Sequence, residues 1–143
     1  MIQYPLKFAV TTQAVSGIAV PWAARTSDQA DIQVAIPVEF EGAGGGFSPE
    51  DFYALALTNC FVATFKVIAE RSKLEFVSIA TQGTLTVDRD EKGTPWMSDF
   101  KLTVTLNQPA DVERATRLLE KTRQSCLILN SVRTKLSFSF EIT

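Results

Sequence analysis

The stretch Ser48–Ser72, SPEDFYALALTNCFVATFKVIAERS, constrains this chain more than any other, because it joins a capped start to an unbroken helical pattern. Ser48 is a natural N-cap, and Pro49 has the fixed φ and missing N–H suited to the first helical position. Glu50 and Asp51 place negative charge at the positive end of the helix dipole. Phe52, Ala56, Cys60, Ala63 and Val67 recur at helical steps and predict one packed stripe, with Leu55, Asn59, Val62 and Lys66 on adjacent faces. The segment is apolar nearly all round until Lys66, Glu70, Arg71 and Lys73, so its first half is expected to be enclosed and its last turns exposed.

With 143 residues, 45% hydrophobic and 21% charged, the chain has room for one core and predicts a single domain over 1–143. A formal charge of −2 provides no electrostatic footprint for nucleic acid. The opening MIQYPLKFAV alternates polar and apolar residues rather than resembling a secretion signal, and no later apolar run reads as membrane-spanning, so a soluble cytoplasmic protein is expected. There is no histidine, which excludes Ser-His-Asp and Cys-His nucleophile pairs, imidazole proton shuttles and His-rich metal sites. A zinc site on the two cysteines would need two carboxylates at a spacing the chain does not show, and no cofactor is implied.

Before the helix, alternation over Ile2–Val10 predicts a strand marked as an edge by Pro5, Thr11–Ala14 reads as a turn, and a second strand is expected near Val15–Trp22. Ala23–Asp31 is small and polar and reads as a loop carrying Arg25; Ile32, Val34, Ile36 and Val38 predict a third strand weakened by Pro37. Glu41–Phe47 is a glycine-rich connector able to approach something closely, without the spacing of a phosphate-binding loop.

After the helix, Phe76–Asp88 and Met97–Asn107 alternate and are joined by the charged turn DRDEKGTP, which makes a hairpin; Gly83 is a candidate bulge. Pro109, Asp111 and Glu113 open a second helix whose Val112, Ala115, Leu119, Thr122 and Cys126 share a face. Either that helix continues and Cys126 faces the core, or Ser125 caps a new short helix and the thiol sits at its N-terminus. Leu136, Phe138, Phe140 and Ile142 predict a closing strand. The fold class is α+β, with antiparallel hairpins around a long central helix.

For Cys60 two readings stand. A free cysteine in an apolar helix is often a small buried hydrophobe. Against that, Thr58 and Asn59 bring polar groups beside the thiol, each needing a partner if buried. A reactive thiol needs a cation or helix N-terminus to form its thiolate near neutrality, and Arg25 is the candidate cation. Glu50 lies ten positions before Cys60, about 15 Å along a helix, and cannot touch the thiol through it, though it can anchor an arginine that does.

Phe40-Glu41-Gly42 with its glycine cluster, Ser48-Pro49-Glu50-Asp51-Phe52, Leu57-Thr58-Asn59-Cys60-Phe61 and a downstream Cys126 before a last strand resemble the OsmC/Ohr family of thiol peroxidases over nearly the whole chain. The resemblance implies an intertwined homodimer and reduction of alkyl or fatty-acid hydroperoxides in oxidative-stress defence. It makes Cys60 the peroxidatic residue, Cys126 the resolving one that closes a disulfide, and Glu50 with Arg25 the activating pair. A dithiol reductant, such as a lipoylated protein, would return the disulfide to thiols. Two motifs depart from the family: Arg25 lacks the usual glycine-flanked setting, and Cys126-Leu127-Ile128-Leu129 stands where Cys-Pro-x-Ser is usual. The competing expectation is an OsmC-like dimer without peroxidase turnover, binding a small apolar ligand beside Cys60 or serving a structural role.

Overall fold

Ser48 caps the long helix as expected, and the cap is reciprocal. The Asp51 N–H donates to Ser48 Oγ (3.0 Å), and the Ser48 N–H donates to Asp51 Oδ2 (2.9 Å). Phe47 stacks on Phe52 with centroids 5.7 Å apart, a hydrophobic staple that sets the angle at which the chain enters the helix. In this computed structural model, which describes residues 3, 5, 7, 8, 10–13, 19–26 and 29–143 (the side chains of 11, 12, 22 and 25 excepted), that helix is α1, Pro49–Arg71. The other elements are β1 (Val10–Gln13), β2 (Trp22–Thr26), β3 (Ile32–Val34), β4 (Ser78–Arg89), β5 (Pro95–Asn107), α2 (Val112–Ser125) and β6 (Lys135–Ile142), with 3-10 turns at Val38–Phe40 and Leu129–Ser131. The order agrees with the α+β reading. The chain divides into two compact units, Met1–Phe52 and Tyr53–Thr143.

In the first unit β1, β2 and β3 form an antiparallel sheet in that order. Several expectations shift here. Of the anticipated first strand, Gln3, Pro5, Lys7 and Phe8 lie outside any strand, Val10 opens β1, and residues 2, 4, 6 and 9 fall outside the described residues; of the second, residues 15–18 fall outside them, 19–21 lie outside any strand and Trp22 opens β2. Thr11–Gln13 is strand rather than turn, and Ala23–Thr26 is strand rather than loop, so Arg25 sits on β2 opposite Thr11. These short polar runs carry no apolar alternation of their own; their pairing with one another and with β3 makes them strands.

β3 ends at Val34 because the chain turns back on itself. The Ala35 N–H donates to the Phe47 carbonyl (3.0 Å) and the Phe47 N–H to the Gln33 carbonyl (2.9 Å). A Cβ on Gly42 would lie 2.0 Å from the Ile36 carbonyl oxygen, so only glycine lets the loop close this tightly. What the glycine-rich connector approaches is the chain's own backbone.

In the second unit, β4 and β5 form the expected antiparallel hairpin, but β6 joins β5 in parallel, Asp99 opposite Lys135 through Leu106 opposite Ile142. The return from β5 to β6 through α2 is thus a crossover rather than another hairpin. Phe100, Leu102, Val104 and Leu106 are buried on the predicted face of β5. Packed into the same cluster are Leu57, Phe61, Phe65 and Ala69 of α1.

That set replaces the predicted stripe. Of Phe52, Ala56, Cys60, Ala63 and Val67, none is fully buried, and Val67 is 48% exposed. An apolar surface that encircles the helix cannot reveal by periodicity which side turns inward, and the two phenylalanines bury the most area when they do. By length and composition α1 also meets the measure of a membrane-crossing helix, which the linear reading missed, while its Leu57–Ala69 edge is seated in the protein core. The helix ends in a Schellman motif: Lys73 takes φ +54°, the Leu74 N–H donates to the Ala69 carbonyl (2.9 Å), and the Lys73 N–H to that of Glu70 (3.1 Å).

Gly83 is not a bulge; it pairs regularly with Leu102, and the register shift falls at Thr86/Val87. A Cβ there would come within 2.6 Å of the Phe100 ring and 2.8 Å of Thr58 Oγ1, so the missing side chain is what admits α1 and Phe100 together. Gly83→Ala is accordingly expected to lower stability in urea unfolding by about 1–3 kcal/mol through overpacking, whereas an alanine at an unobstructed strand position would not.

Candidate functional site

Cys60 lies midway along α1, half-buried on the flank of the face that Phe61 turns into the core. Cys126 reaches it from α2. Asp111 caps that helix by accepting the Arg114 N–H (2.9 Å), and Ala115, Leu119 and Thr122 bury the predicted face, while Val112 stays 58% exposed. The helix stops at Ser125. Cys126 is its C-cap, fully buried, and the following 3-10 turn starts only at Leu129, with the Asn130 N–H donating to the Cys126 carbonyl (2.9 Å). Neither alternative holds whole: the thiol faces the core, but α2 ends one residue short of it, and the Leu129 N–H at the start of the following turn donates to its sulfur.

The two sulfurs stand 3.0 Å apart, both free thiols, with Cys126 donating to Cys60 Sγ. The Ile128 N–H donates to the same sulfur at 3.4 Å. Thr64, one turn beyond Cys60 on α1, places its hydroxyl 3.7 Å from Cys126 Sγ and 4.0 Å from Cys60 Sγ. Burial pushes the Cys126 thiol from its ordinary 9.0 up to about 12; its hydrogen bond to Cys60 adds to the rise, while Thr64 opposes it. Cys126 thus holds its proton and Cys60 is the acceptor. Two thiols of unequal proton affinity at this separation are within reach of closing a disulfide on oxidation.

Thr58 and Asn59 need no site to satisfy them. Thr58 returns its hydroxyl to the Ala54 carbonyl (2.8 Å) and Asn59 its amide to that of Leu55 (2.9 Å). Glu50 sits in the first turn of α1, its Oε2 buried with no hydrogen-bond partner among the described residues. Arg25 is placed on β2 by its backbone, and its side chain lies outside the described residues. Both belong to the first unit, and the sulfurs to the second. Thr64 and the Ile128 N–H were not foreseen. Thr64 could have been found from its i+4 spacing to Cys60, but a backbone N–H leaves no mark in a sequence.

Because the Cys126 pKa is higher in the fold than in the unfolded chain, the stabilisation from keeping it protonated is complete below pH 9.0 and is lost as pH rises toward about 12. Urea unfolding of the wild type minus that of Cys126→Ala should therefore be flat below pH 9.0 and fall above it. The slope should approach about 1.4 kcal/mol per pH unit.

Comparison with known proteins adds the family. Residues 42–141 match the family model described as OsmC, OsmC-like protein. An uncharacterized protein of Acinetobacter baylyi is 29% identical over 115 residues, 78% of this chain and 77% of its own length. An OsmC-like protein of unknown function from Vibrio cholerae superposes with a TM-score of 0.77 at 15% identity, over 97% of this chain and 100% of that one. An organic hydroperoxide resistance protein from Elizabethkingia anophelis superposes with a TM-score of 0.76 at 17% identity, over 99% of both chains. At these identities the structures speak for the fold, and the family model spans well over half of the sequence: the chain belongs to the OsmC-like protein family.

Proposed function

We propose that this protein is a cysteine peroxidase that reduces organic hydroperoxides. The single observation that supports this reading is the 3.0 Å approach of Cys126 Sγ to Cys60 Sγ, with the proton on Cys126. The Cys60 thiol gives up its proton, its sulfur attacks the terminal peroxide oxygen, the O–O bond breaks, the departing alkoxide takes up that proton as the alcohol, and Cys60 becomes a sulfenic acid. Cys126 then attacks the Cys60 sulfur, the S–O bond breaks, water leaves and a disulfide forms. An external dithiol, of the kind carried by lipoylated proteins, reduces that disulfide in a reducing cytoplasm. The organic hydroperoxide resistance protein of Elizabethkingia anophelis shares the fold, which agrees with this chemistry. The exposed Leu127 and Ile128 beside the sulfurs favour an alkyl hydroperoxide over hydrogen peroxide. Glu50 and Arg25 are included in the proposal as the pair that activates Cys60.

The assembly is proposed to be a homodimer. Leu55, Ala56, Ala63 and Val67 leave an apolar side of α1 exposed, with Leu55 at 42% and Val67 at 48%, a surface suited to a second copy of the chain. Sedimentation at micromolar concentration should report twice the 15.7 kDa chain mass, and a stable monomer would refute the dimer.

One equivalent of cumene hydroperoxide should yield a protein two hydrogens lighter with a Cys60–Cys126 crosslink, read by peptide mass mapping. Cys126→Ser should stop at a trappable Cys60 sulfenic acid, and Glu50→Ala or Arg25→Ala should slow its appearance. Failure of the wild type to consume hydroperoxide with a dithiol present would reject the peroxidase.

A further inference from the structure

Thr64 stands apart from the other threonines on the two helices. Thr58, Thr116 and Thr122 each return their hydroxyl to the carbonyl one turn earlier, of Ala54, Val112 and Leu118, at 2.7 to 2.9 Å. Such a bond satisfies the hydroxyl and removes it from chemistry. The Thr64 hydroxyl instead has the two sulfurs as its partners, Cys126 Sγ at 3.7 Å and Cys60 Sγ at 4.0 Å, and a larger sulfur radius makes the shorter of these a hydrogen-bonding distance. It is half-buried and lies on the same side of α1 as Cys60, one turn further along.

The second half of the proposed reaction has a proton problem that this placement answers. Cys126 must lose its proton as it attacks, yet it is buried, and burial holds the proton on the thiol. The leaving hydroxide on Cys60 must gain a proton to depart as water. There is no histidine in the chain to carry it. We propose that the Thr64 hydroxyl is the catalytic proton relay of disulfide closure, taking the proton of Cys126 Sγ while passing its own, through solvent at the half-exposed Cys60, to the oxygen leaving Cys60 Sγ. The balance is complete: the Cys126 S–H and Cys60 S–O bonds break, the S–S bond forms, water departs, and Thr64 ends as it began. No further oxidant is needed beyond the hydroperoxide that made the sulfenic acid, so the inference rests on the peroxidase reading and concerns its second step alone.

The test separates the steps. Protein mixed with cumene hydroperoxide is quenched at intervals into dimedone, and mass mapping counts dimedone-modified Cys60 against the Cys60–Cys126 disulfide. Thr64→Val keeps the branched shape without the hydroxyl and should close the disulfide about 100-fold more slowly, in the range that general acid–base groups contribute. The sulfenic acid accumulates in its place. Thr64→Ala repeats the loss in a smaller side chain should valine disturb the helix, and Thr64→Ser should restore closure, a rescue that a packing role for the methyl group would not produce. Wild-type closure rates in both Thr64→Val and Thr64→Ala, or a Thr64→Ser variant as slow as valine, would overturn the relay. A wild type in which dimedone never marks Cys60 and no disulfide forms would instead overturn the peroxidase reading, and the relay with it.

Discussion

The seating of one edge of α1 against the apolar face of β5 is the contact on which the second unit depends. Leu57, Phe61, Phe65 and Ala69 repeat at four-residue steps and meet Phe100, Leu102, Val104 and Leu106, which repeat at two. Phe61 also approaches Phe138 and Phe140 of β6, at 6.0 and 5.7 Å between centroids, tying the helix to the parallel strand as well. Burying each of these large side chains contributes about 1.5–3 kcal/mol. The fit depends on a gap as much as on filled volume, since the absent Cβ of Gly83 is where Phe100 and Thr58 find room.

That seating decides what Cys60 can be. Its neighbour Phe61 points straight into the core, so the thiol comes out on the flank, half-covered and within reach of another element. The crossover from β5 to β6 supplies that element. A hairpin would have returned the chain directly, whereas a parallel β6 requires a long connection, and α2 with its 3-10 turn makes it. Cys126 is left where α2 ends, under the turn whose Ile128 N–H reaches the Cys60 sulfur. The dithiol is thus a product of the parallel topology.

The pair is also unequal. One sulfur is half-exposed and accepts hydrogen bonds, while the other is sealed and donates. Burial that protects Cys126 from stray chemistry also makes its proton hard to remove, and a hydroxyl beside it matters more there than it would in water, where solvent could carry the proton.

The order of elements from α1 onward, the cap at Ser48, the buried face of β5 and the covered face of α2 were legible in the sequence because each is written in local spacing and local capping chemistry. Cys60 and Cys126 stood out as candidates through the family resemblance, not through local spacing. The inward edge of α1 was not legible, since a helix apolar on every side has no preferred face until a partner arrives. Neither were β1 and β2, whose polar residues become strands only by pairing. The parallel registration of β6 joins residues 36 positions apart, and the 3.0 Å sulfur contact and the turning of Thr64 toward Cys126 join residues more than sixty apart. Spacing along a chain records which residues share a face of one element; only the packing of elements decides which faces meet.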